Sequence, residues 1–292
     1  MTAIQANGIT IEYDTFGNPK EKPILLVMGL GTQMIGWHPG FCQLLADRGH
    51  YVIRYDNRDV GLSEKFGQLG APDVIAMATA LSTGEPVTAP YSLADMAQDG
   101  IGLLDALSID KAHICGASMG GMIVQLMAIQ APERILSLTS IMSTTGDANL
   151  PGPSDEAMAV LLTPGATERQ AAAERTVMAA GVIGSPDYPA PPDELRARAL
   201  EAYDRCSYPE GSVRHIAAVA AQENRTEALS AVQVPALVIH GKADPLVRVE
   251  AGIATHEALP NSELMLIDGM GHDMPEPLWK QVIDGIDGLT SR

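Results

Sequence analysis

The sequence has few of the features that would assign it to a disulfide-rich, secreted or membrane class. Its 292 residues include 3 cysteines, an odd number with no paired spacing (Cys42, Cys115 and Cys206). This argues against a disulfide scaffold and indicates a reducing compartment. No apolar run approaches the roughly 18 residues needed to cross a bilayer, and no basic region followed by an apolar stretch opens the chain. We therefore expect a cytoplasmic protein with no membrane partner.

Positive charge is also scarce. The chain has 19 lysine and arginine residues against 36 aspartate and glutamate residues, which gives a net charge of −17. A surface this acidic repels phosphate backbones and anionic lipid headgroups, so nucleic acid is not an expected partner. Hydrophobic residues make up 46% of the chain, a content that excludes general disorder. We interpret the charge as an aid to solubility.

Apolar segments of strand length alternate with helical patterns along most of the chain. The predicted strands are 9–17, 23–29, 51–56, 112–118, 135–142, 235–241 and 262–268, with the first of them at the sheet edge. The predicted helices are 38–48, 91–107, 119–131, 246–258 and 276–288. Near-continuous apolar strands separated by helices predict an α/β fold with a doubly wound, mostly parallel sheet.

The alternation stops between about residues 145 and 228. This stretch is rich in proline and has alanine-rich helical segments at 155–162, 166–180, 193–204 and 212–222, without a convincing strand. Its content of alanine, leucine, methionine and valine is too high for a disordered linker. We interpret residues 145–228 as a helical cap inserted into one core domain, which is formed by residues 1–144 and 229–292.

The pentapeptide Gly-Ala-Ser-Met-Gly, residues 116–120, lies at a predicted junction between a strand and a helix. A G-x-S-x-G motif alone is weak, since about 0.1–0.2 chance matches are expected in a chain of this length. At such a junction, however, the turn raises the Ser118 hydroxyl above the sheet edge, and Gly116 and Gly120 have a steric reason to lack side chains. The positive end of the helix that starts at Met119 also points to where a developing oxyanion would gather.

A serine nucleophile needs a base beside it and an acid that orients the base. In this architecture the acid and then the histidine follow the serine along the chain, each just after a strand. Asp244 follows strand 235–241, and His272 lies in the glycine-rich loop after strand 262–268. Three placements in this order predict Ser118 as the nucleophile, Asp244 as the acid and His272 as the base.

Other residues compete for these roles. The alternative acids are Asp147, Asp268 and Asp273. Asp273 adjoins the histidine in sequence, which is a poor position from which to hold its ring. His113 and His240 lie within or at the end of strands, which favours structural roles for both.

The chain resembles the α/β-hydrolase superfamily over essentially its whole length. The segments that carry the resemblance are G-A-S-M-G (116–120), H-G-K-A-D-P (240–245), G-M-G-H (269–272) and Y-D-N-R-D-V-G-L-S (55–63). With V-M-G-L-G (27–31) and the helical cap, they resemble in particular the aclacinomycin methylesterase-like carboxylic ester hydrolases. The resemblance implies ester hydrolysis through an acyl-enzyme, with no cofactor. We expect the cap to lie over Ser118 and to supply substrate contacts but no catalytic group.

One segment departs from the pattern of the superfamily. Many relatives have His-Gly where this chain has Met28-Gly29. Backbone donors do not depend on that side chain, so we expect the N–H groups of Leu30 and Met119 to form the oxyanion hole. The predicted substrate-pocket residues are Gly29, Met34 and His38.

Several alternatives remain beside the ester hydrolase. Gly29-Leu30-Gly31 lacks the third glycine of a dinucleotide-binding loop, because Met34 occupies its position. No paired histidine or cysteine spacing indicates a metal site. The same triad would serve lactone hydrolysis, carbon–carbon bond hydrolysis or perhydrolysis, and a non-catalytic ligand-binding protein on this fold is a further alternative. The expected partner is a small-molecule ester with a short to medium acyl group or a methyl ester, bound by a monomer or homodimer.

Overall fold

Eight strands form one sheet in the part of the chain that the computed structural model describes, residues 2–83 and 85–292. They are β1 (Thr2–Ala6), β2 (Ile9–Phe16), β3 (Lys22–Val27), β4 (His50–Tyr55), β5 (Ala112–Ala117), β6 (Ile135–Ile141), β7 (Ala236–Gly241) and β8 (Ser262–Ile267). Their order is β1-β2-β4-β3-β5-β6-β7-β8. β2 pairs antiparallel with β1 and β4, and all the other pairs are parallel. The predicted mostly parallel sheet is confirmed.

The predicted position of residues 9–17 at the sheet edge is wrong. β1 pairs with the outer side of β2, with Ala6 opposite Ile9. Asn7 (φ 50°) and Gly8 (φ 77°) form the turn between them, and an Asn-Gly pair with two positive φ angles is the signal of a type I′ hairpin. β1 is short and mostly exposed, so it offers no alternating apolar face from which to predict it.

Eleven helices accompany the sheet in the described residues. They are α1 (Pro39–Ala46), α2 (Val74–Thr83), α3 (Leu93–Ala106), α4 (Met119–Gln130), α5 (Asp155–Leu162), α6 (Arg169–Ile183), α7 (Pro192–Arg205), α8 (Pro209–Ala220), α9 (Thr226–Ser230), α10 (Val249–Ala258) and α11 (Trp279–Thr290). α2 and α9 have no counterpart among the predicted helices. In this part of the chain no helix has the length and apolar content required to cross a membrane.

Helices cover both faces of the sheet, and the central strand β3 shows why. Leu25 and Val27 point into a core cluster that includes residues of α3 and α4. Ile24 and Leu26 point to the opposite face, into a cluster with residues of α1 and α11. Because alternate residues of a strand face opposite sides, a strand buried on both faces must be apolar throughout. This is the doubly wound arrangement that the sequence predicts.

The chain between β6 and β7, residues 142–235, forms α5 to α9 and contains no strand; all of these residues are described. We call this segment the helical insertion; α9 spans the predicted cap boundary at residue 228. Two buried ion pairs connect it to the turn after β4. Arg205 Nη1 lies 2.7 Å from Asp56 Oδ2, and Arg214 Nε lies 2.7 Å from Asp59 Oδ2. Removing one partner of such a pair typically costs about 3–5 kcal/mol, because the remaining charge is left buried and unpaired.

Candidate active site

Ser118 lies in the tight turn that joins β5 to α4. Its φ of 56° and ψ of −122° fall outside the helical and extended regions that side chains prefer, a strain of roughly 1–3 kcal/mol. A backbone group and a side chain hold this conformation: the Ser118 N–H donates to Ile141 O at 2.9 Å, and Ser143 Oγ donates to Ser118 O at 2.8 Å. The turn leaves the Ser118 side chain partly exposed at the amino end of α4.

The glycines on either side of Ser118 are positions of close backbone approach. A Cβ atom on Gly116 would lie 2.1 Å from Gly120 O, and a Cβ atom on Gly120 would lie 2.1 Å from Val27 O. Neither carbonyl can move aside as a flexible side chain could. The motif therefore needs glycine at both positions for the strand, the turn and the helix to pack as they do.

The structure brings Ser118, His272 and Asp244 together although they are far apart in sequence. His272 Nε2 lies 2.9 Å from Ser118 Oγ, and His272 Nδ1 lies 2.7 Å from Asp244 Oδ2. A carboxylate only accepts hydrogen bonds, so Nδ1 carries the proton and Nε2 is free to accept one from the serine hydroxyl. The imidazole is 8% exposed and the carboxylate 0%, so the bond between them is shielded from bulk water.

Asp244 is held from its other side by the loop that follows β7. Its Oδ1 accepts the N–H groups of Leu246 at 2.8 Å and Val247 at 2.9 Å. His240, buried below, directs Nε2 at Val247 O over 2.8 Å, and burial lowers the pKa of its ring. His240 thus supports the loop that presents Asp244, which agrees with the structural role expected of it.

The competing acids have other partners. Asp147 Oδ1 accepts from the backbone and side-chain nitrogens of Asn149. Asp268 is 85% exposed and pairs with Lys242 at 2.8 Å. Asp273 accepts a hydrogen bond from Ser185, and burial raises the pKa of its carboxyl group. Of the four candidates, Asp244 is the one that contacts the His272 ring.

The loop after β3 reaches Ser118 from the opposite side. A Cβ atom on Gly29 would lie 3.2 Å from Ser118 Cβ and 3.6 Å from Ser118 Oγ, so Gly29 faces the serine directly. The next backbone N–H, that of Leu30, has no acceptor within residues 2–83 and 85–292, and neither has that of Met119 at the start of α4. Two donors without partners beside a serine hydroxyl are what an oxyanion hole requires.

Met34 and His38 have structural contacts. Met34 is fully buried, and its N–H donates to Asp56 Oδ1 at 2.8 Å. His38 Nδ1 accepts the Gly40 N–H at 3.0 Å, which caps α1, and its ring lies 5.0 Å from that of Trp279. Within the described ranges, no hydrogen bond joins either side chain to the serine, the histidine or the aspartate.

The helical insertion contacts the loop of His272, which sequence reasoning did not anticipate. The His272 N–H donates to Ile183 O at 2.7 Å, and the Gly271 N–H donates to Ser185 Oγ at 2.9 Å. A Cβ atom on Gly271 would lie 2.3 Å from Gly184 O. The glycines of G-M-G-H signal a close backbone approach, but nothing in the sequence identifies the segment that approaches.

Metal-ligating side chains do not cluster in the part of the chain that the structure describes. Among the described residues, no group of three or more histidine, cysteine, aspartate or glutamate side chains could hold a metal ion. The hydrogen bonds from Ser118 to His272 and from His272 to Asp244 are suited to nucleophilic attack by an activated serine.

Comparisons with known proteins point to one fold family. A sequence model of the α/β-hydrolase fold family matches residues 22–276. Rhodomycin D methylesterase DauP of a Streptomyces species is 27% identical and covers 94% of each chain. The 3-oxoadipate enol-lactonase 2 of Acinetobacter baylyi is 28% identical over 91% of this chain and 87% of its own. The crystal structure of an enol-lactonase from Burkholderia xenovorans superposes with a TM-score of 0.75 at 20% identity, over 100% of both chains. The resemblance predicted from the sequence is confirmed.

Proposed function

Because the chain belongs to the α/β-hydrolase fold family, we propose that it hydrolyses carboxylic esters through an acyl-enzyme on Ser118. The observation that carries the proposal is the continuous hydrogen-bonded series from Ser118 Oγ to His272 Nε2 at 2.9 Å and from His272 Nδ1 to Asp244 Oδ2 at 2.7 Å. A nucleophile, a base and an orienting acid at these distances define the serine-hydrolase arrangement, whatever fold presents them.

Acylation follows from the positions of these groups. Ser118 Oγ attacks the ester carbonyl carbon while His272 Nε2 takes the hydroxyl proton, and Asp244 stabilises the imidazolium that forms. The negative charge on the carbonyl oxygen is received by the N–H groups of Leu30 and Met119. When the tetrahedral intermediate collapses, the bond to the alcohol oxygen breaks. The alcohol leaves with the proton from His272, and the acyl group stays on Ser118.

Deacylation follows the same order of steps, with water in place of the serine hydroxyl as the nucleophile. His272 takes a proton from a water molecule, whose oxygen attacks the acyl carbon through a second oxyanion intermediate in the same donor pair. The bond to Ser118 Oγ breaks, the carboxylic acid leaves, and the proton returns from His272 to the serine. No group outside the chain takes part except the ester and water.

The proposed substrates are methyl esters and esters of short to medium acyl chains. A relative named as a rhodomycin D methylesterase covers 94% of this chain, which supports a small alcohol as the leaving group. A second candidate is lactone hydrolysis, favoured by the relative named as an enol-lactonase, which matches 91% of the chain. A lactone is a cyclic ester, so the same attack opens its ring and the alcohol remains attached to the acyl product.

A substrate panel tests the proposal. The wild type and Ser118→Ala are compared on p-nitrophenyl esters from acetate to palmitate, with methyl esters and lactones in parallel. We expect Ser118→Ala to lose turnover by roughly 10⁴-fold or more while its circular dichroism spectrum stays unchanged. Ser291→Ala, at an exposed serine, is the matched control and should keep the wild-type rate. A fluorophosphonate probe should label the wild type and the control but not Ser118→Ala. Equal rates for the wild type and Ser118→Ala would refute the proposal.

A further inference from the structure

Helix α8 of the helical insertion places the side chain of His215 against the loop that carries Leu30. His215 Nδ1 lies 3.1 Å from the Gly31 nitrogen, which donates to it, and His215 Nε2 lies 2.8 Å from Arg58 O. The ring is fully buried. It therefore bridges the loop after β3 and the turn after β4, and neither contact is with a solvent-exposed group.

The two partners of His215 define its protonation state. A carbonyl oxygen can only accept, so Nε2 must carry a hydrogen toward Arg58 O. A backbone N–H can only donate, so Nδ1 must be bare toward Gly31. Burial lowers the pKa of His215 to about 4, so the ring is neutral at neutral pH and Nδ1 stays an acceptor.

The loop itself is a tight turn of four residues, Gly29 to Thr32. The Thr32 N–H donates to Gly29 O at 3.3 Å, and Gly31 in the third position has a φ of 63°, as a type II turn requires. Gly29 C=O and Leu30 N–H belong to one planar peptide and point in opposite directions. Since the carbonyl is engaged inside the turn, the Leu30 N–H is directed away from it.

The middle peptide of this turn joins Leu30 to Gly31, and its N–H, that of Gly31, has no partner inside the turn. Rotation of that peptide is what converts a type II turn into a type I turn, and the bond from Gly31 N–H to His215 opposes it. The helix also packs directly on the loop, since a Cβ atom on Gly31 would lie 2.4 Å from Ser212 Oγ. The peptide before Leu30 is thereby held by the Thr32 N–H, and the peptide after it by His215 on its N–H and by Thr32 Oγ1, which donates to Leu30 O at 3.2 Å.

The helix that carries His215 is itself well anchored. The neighbouring Arg214 directs Nε and Nη2 at the two carboxylate oxygens of Asp59 over 2.7 Å and 2.9 Å, and both side chains are 0% exposed. Tyr91 donates a third hydrogen bond to that carboxylate at 2.7 Å. His215 thus acts from a rigid element, which a residue that positions a loop must do.

We infer that His215 is a positioning residue, which fixes the Gly29–Thr32 turn through the Gly31 N–H and so sets the direction of the proposed oxyanion donor on Leu30. The inference rests on the proposed ester hydrolysis. It gives the helical insertion a part in transition-state stabilisation beyond the substrate contacts expected from the sequence. Because the oxyanion forms after substrate has bound, losing this contact should lower kcat and leave KM almost unchanged.

Three substitutions separate the two hydrogen bonds of His215. In His215→Asn the amide oxygen comes close to the position of Nδ1 and can still accept from Gly31. In His215→Gln the longer amide reaches the position of Nε2 and can still donate to Arg58 O. His215→Leu keeps neither bond. His113→Asn, at another buried histidine outside the site, is the matched control.

The measurements are kcat and KM for p-nitrophenyl acetate, together with amide hydrogen exchange of the peptide containing Gly31. We expect kcat to fall by about 10-fold or more in His215→Gln and His215→Leu, below the roughly 10²–10³-fold loss of a whole oxyanion donor. Their KM should stay within about 2-fold of wild type. His215→Asn should keep most of the rate and the slow exchange of Gly31, and His113→Asn should keep the wild-type kcat.

Two results would overturn the inference. One is a wild-type kcat in folded His215→Gln and His215→Leu; the other is an equal loss in all three variants that follows their loss of thermal stability, since a merely structural histidine would give that result. Turnover by the wild type and its loss in Ser118→Ala test the proposed function separately. An inactive wild type would overturn both, whereas an active wild type with unaffected His215 variants overturns the inference alone.

Discussion

Among single residues, Gly120 has a tight steric constraint right beside the proposed nucleophile. A Cβ atom there would lie 2.1 Å from Val27 O and 2.9 Å from Met28 O. Both oxygens belong to the backbone, so rotation of a side chain cannot relieve the contact. The same segment leads directly into Gly29 and Leu30. A shift that made room for a methyl group at position 120 would therefore displace a proposed oxyanion donor.

Gly120→Ala should consequently lose activity by about 10²-fold or more, the effect of misplacing reacting groups by about 1 Å, and lose about 1–3 kcal/mol of stability through overpacking. Thermal denaturation and p-nitrophenyl acetate hydrolysis measure both effects. The control is Gly288→Ala in α11, where a Cβ would meet nothing within 4 Å. That variant should keep full activity and gain about 0.5–1 kcal/mol from helix propensity. A Gly120→Ala enzyme with the wild-type rate would disprove the steric argument.

At the scale of elements, the sequence predicts those strands and helices that are joined by a turn containing glycine after an apolar strand. The predicted strand 112–118 and helix 119–131 correspond to β5 (Ala112–Ala117) and α4 (Met119–Gln130). β1 and α2 escape prediction for different reasons. β1 is too exposed to show an apolar face, and α2 packs on α8 of the helical insertion, a partner that local periodicity does not reveal.

The candidate site divides in the same way. Ser118, Asp244 and His272 each follow a strand, so their order along the chain predicts that they meet at one edge of the sheet. Ser185 and His215 carry no motif, and their contacts arise from the docking of helices far along the chain. Such contacts depend on tertiary packing, and the local residue pattern of neither contacting segment reveals its partner.

Ser185 provides a test at this scale. Ser185→Ala removes the acceptor of the buried Gly271 N–H and the donor to Asp273, which should cost about 1–3 kcal/mol of stability. The loop of His272 should loosen, lowering kcat by about 10-fold with little change in KM. Urea unfolding and steady-state kinetics measure the two effects. Ser207→Ala, at an exposed serine of the same insertion, should change neither quantity. If both variants behave as wild type, the insertion does not support this loop.

On the scale of the whole molecule, buried histidines make the folded state sensitive to acid. Burial lowers the pKa of His113 and of His215 from 6.5 to about 4. Between these two pH values the unfolded chain binds protons that the folded chain does not, so unfolding is favoured as the pH falls. The stabilisation is complete above about pH 6.5 and is lost progressively toward pH 4.

The free energy of unfolding should therefore be smaller at pH 5 than at pH 7, by on the order of 2 kcal/mol for each of these histidines. Urea titrations at the two pH values give the difference for the wild type. In His113→Asn one titrating group is absent, so the difference between the two pH values should shrink by about the contribution of one histidine, whatever the stability of the variant at pH 7. An unchanged difference would show that His113 is not held neutral by the fold.

Two contact regions of the helical insertion have a consequence for engineering by segment exchange. In the first region Ile183 O and Ser185 Oγ accept from the loop of His272, and in the second His215 Nδ1 accepts from Gly31. A chimera that received residues 142–235 from a relative would keep the serine, the aspartate and the histidine in its sequence. The chimera would be active on the new substrate only if the donated segment also had hydrogen-bond acceptors at these three positions. In such an exchange, the residues that contact the recipient's loops must be matched first, and the residues that contact substrate can be chosen afterwards.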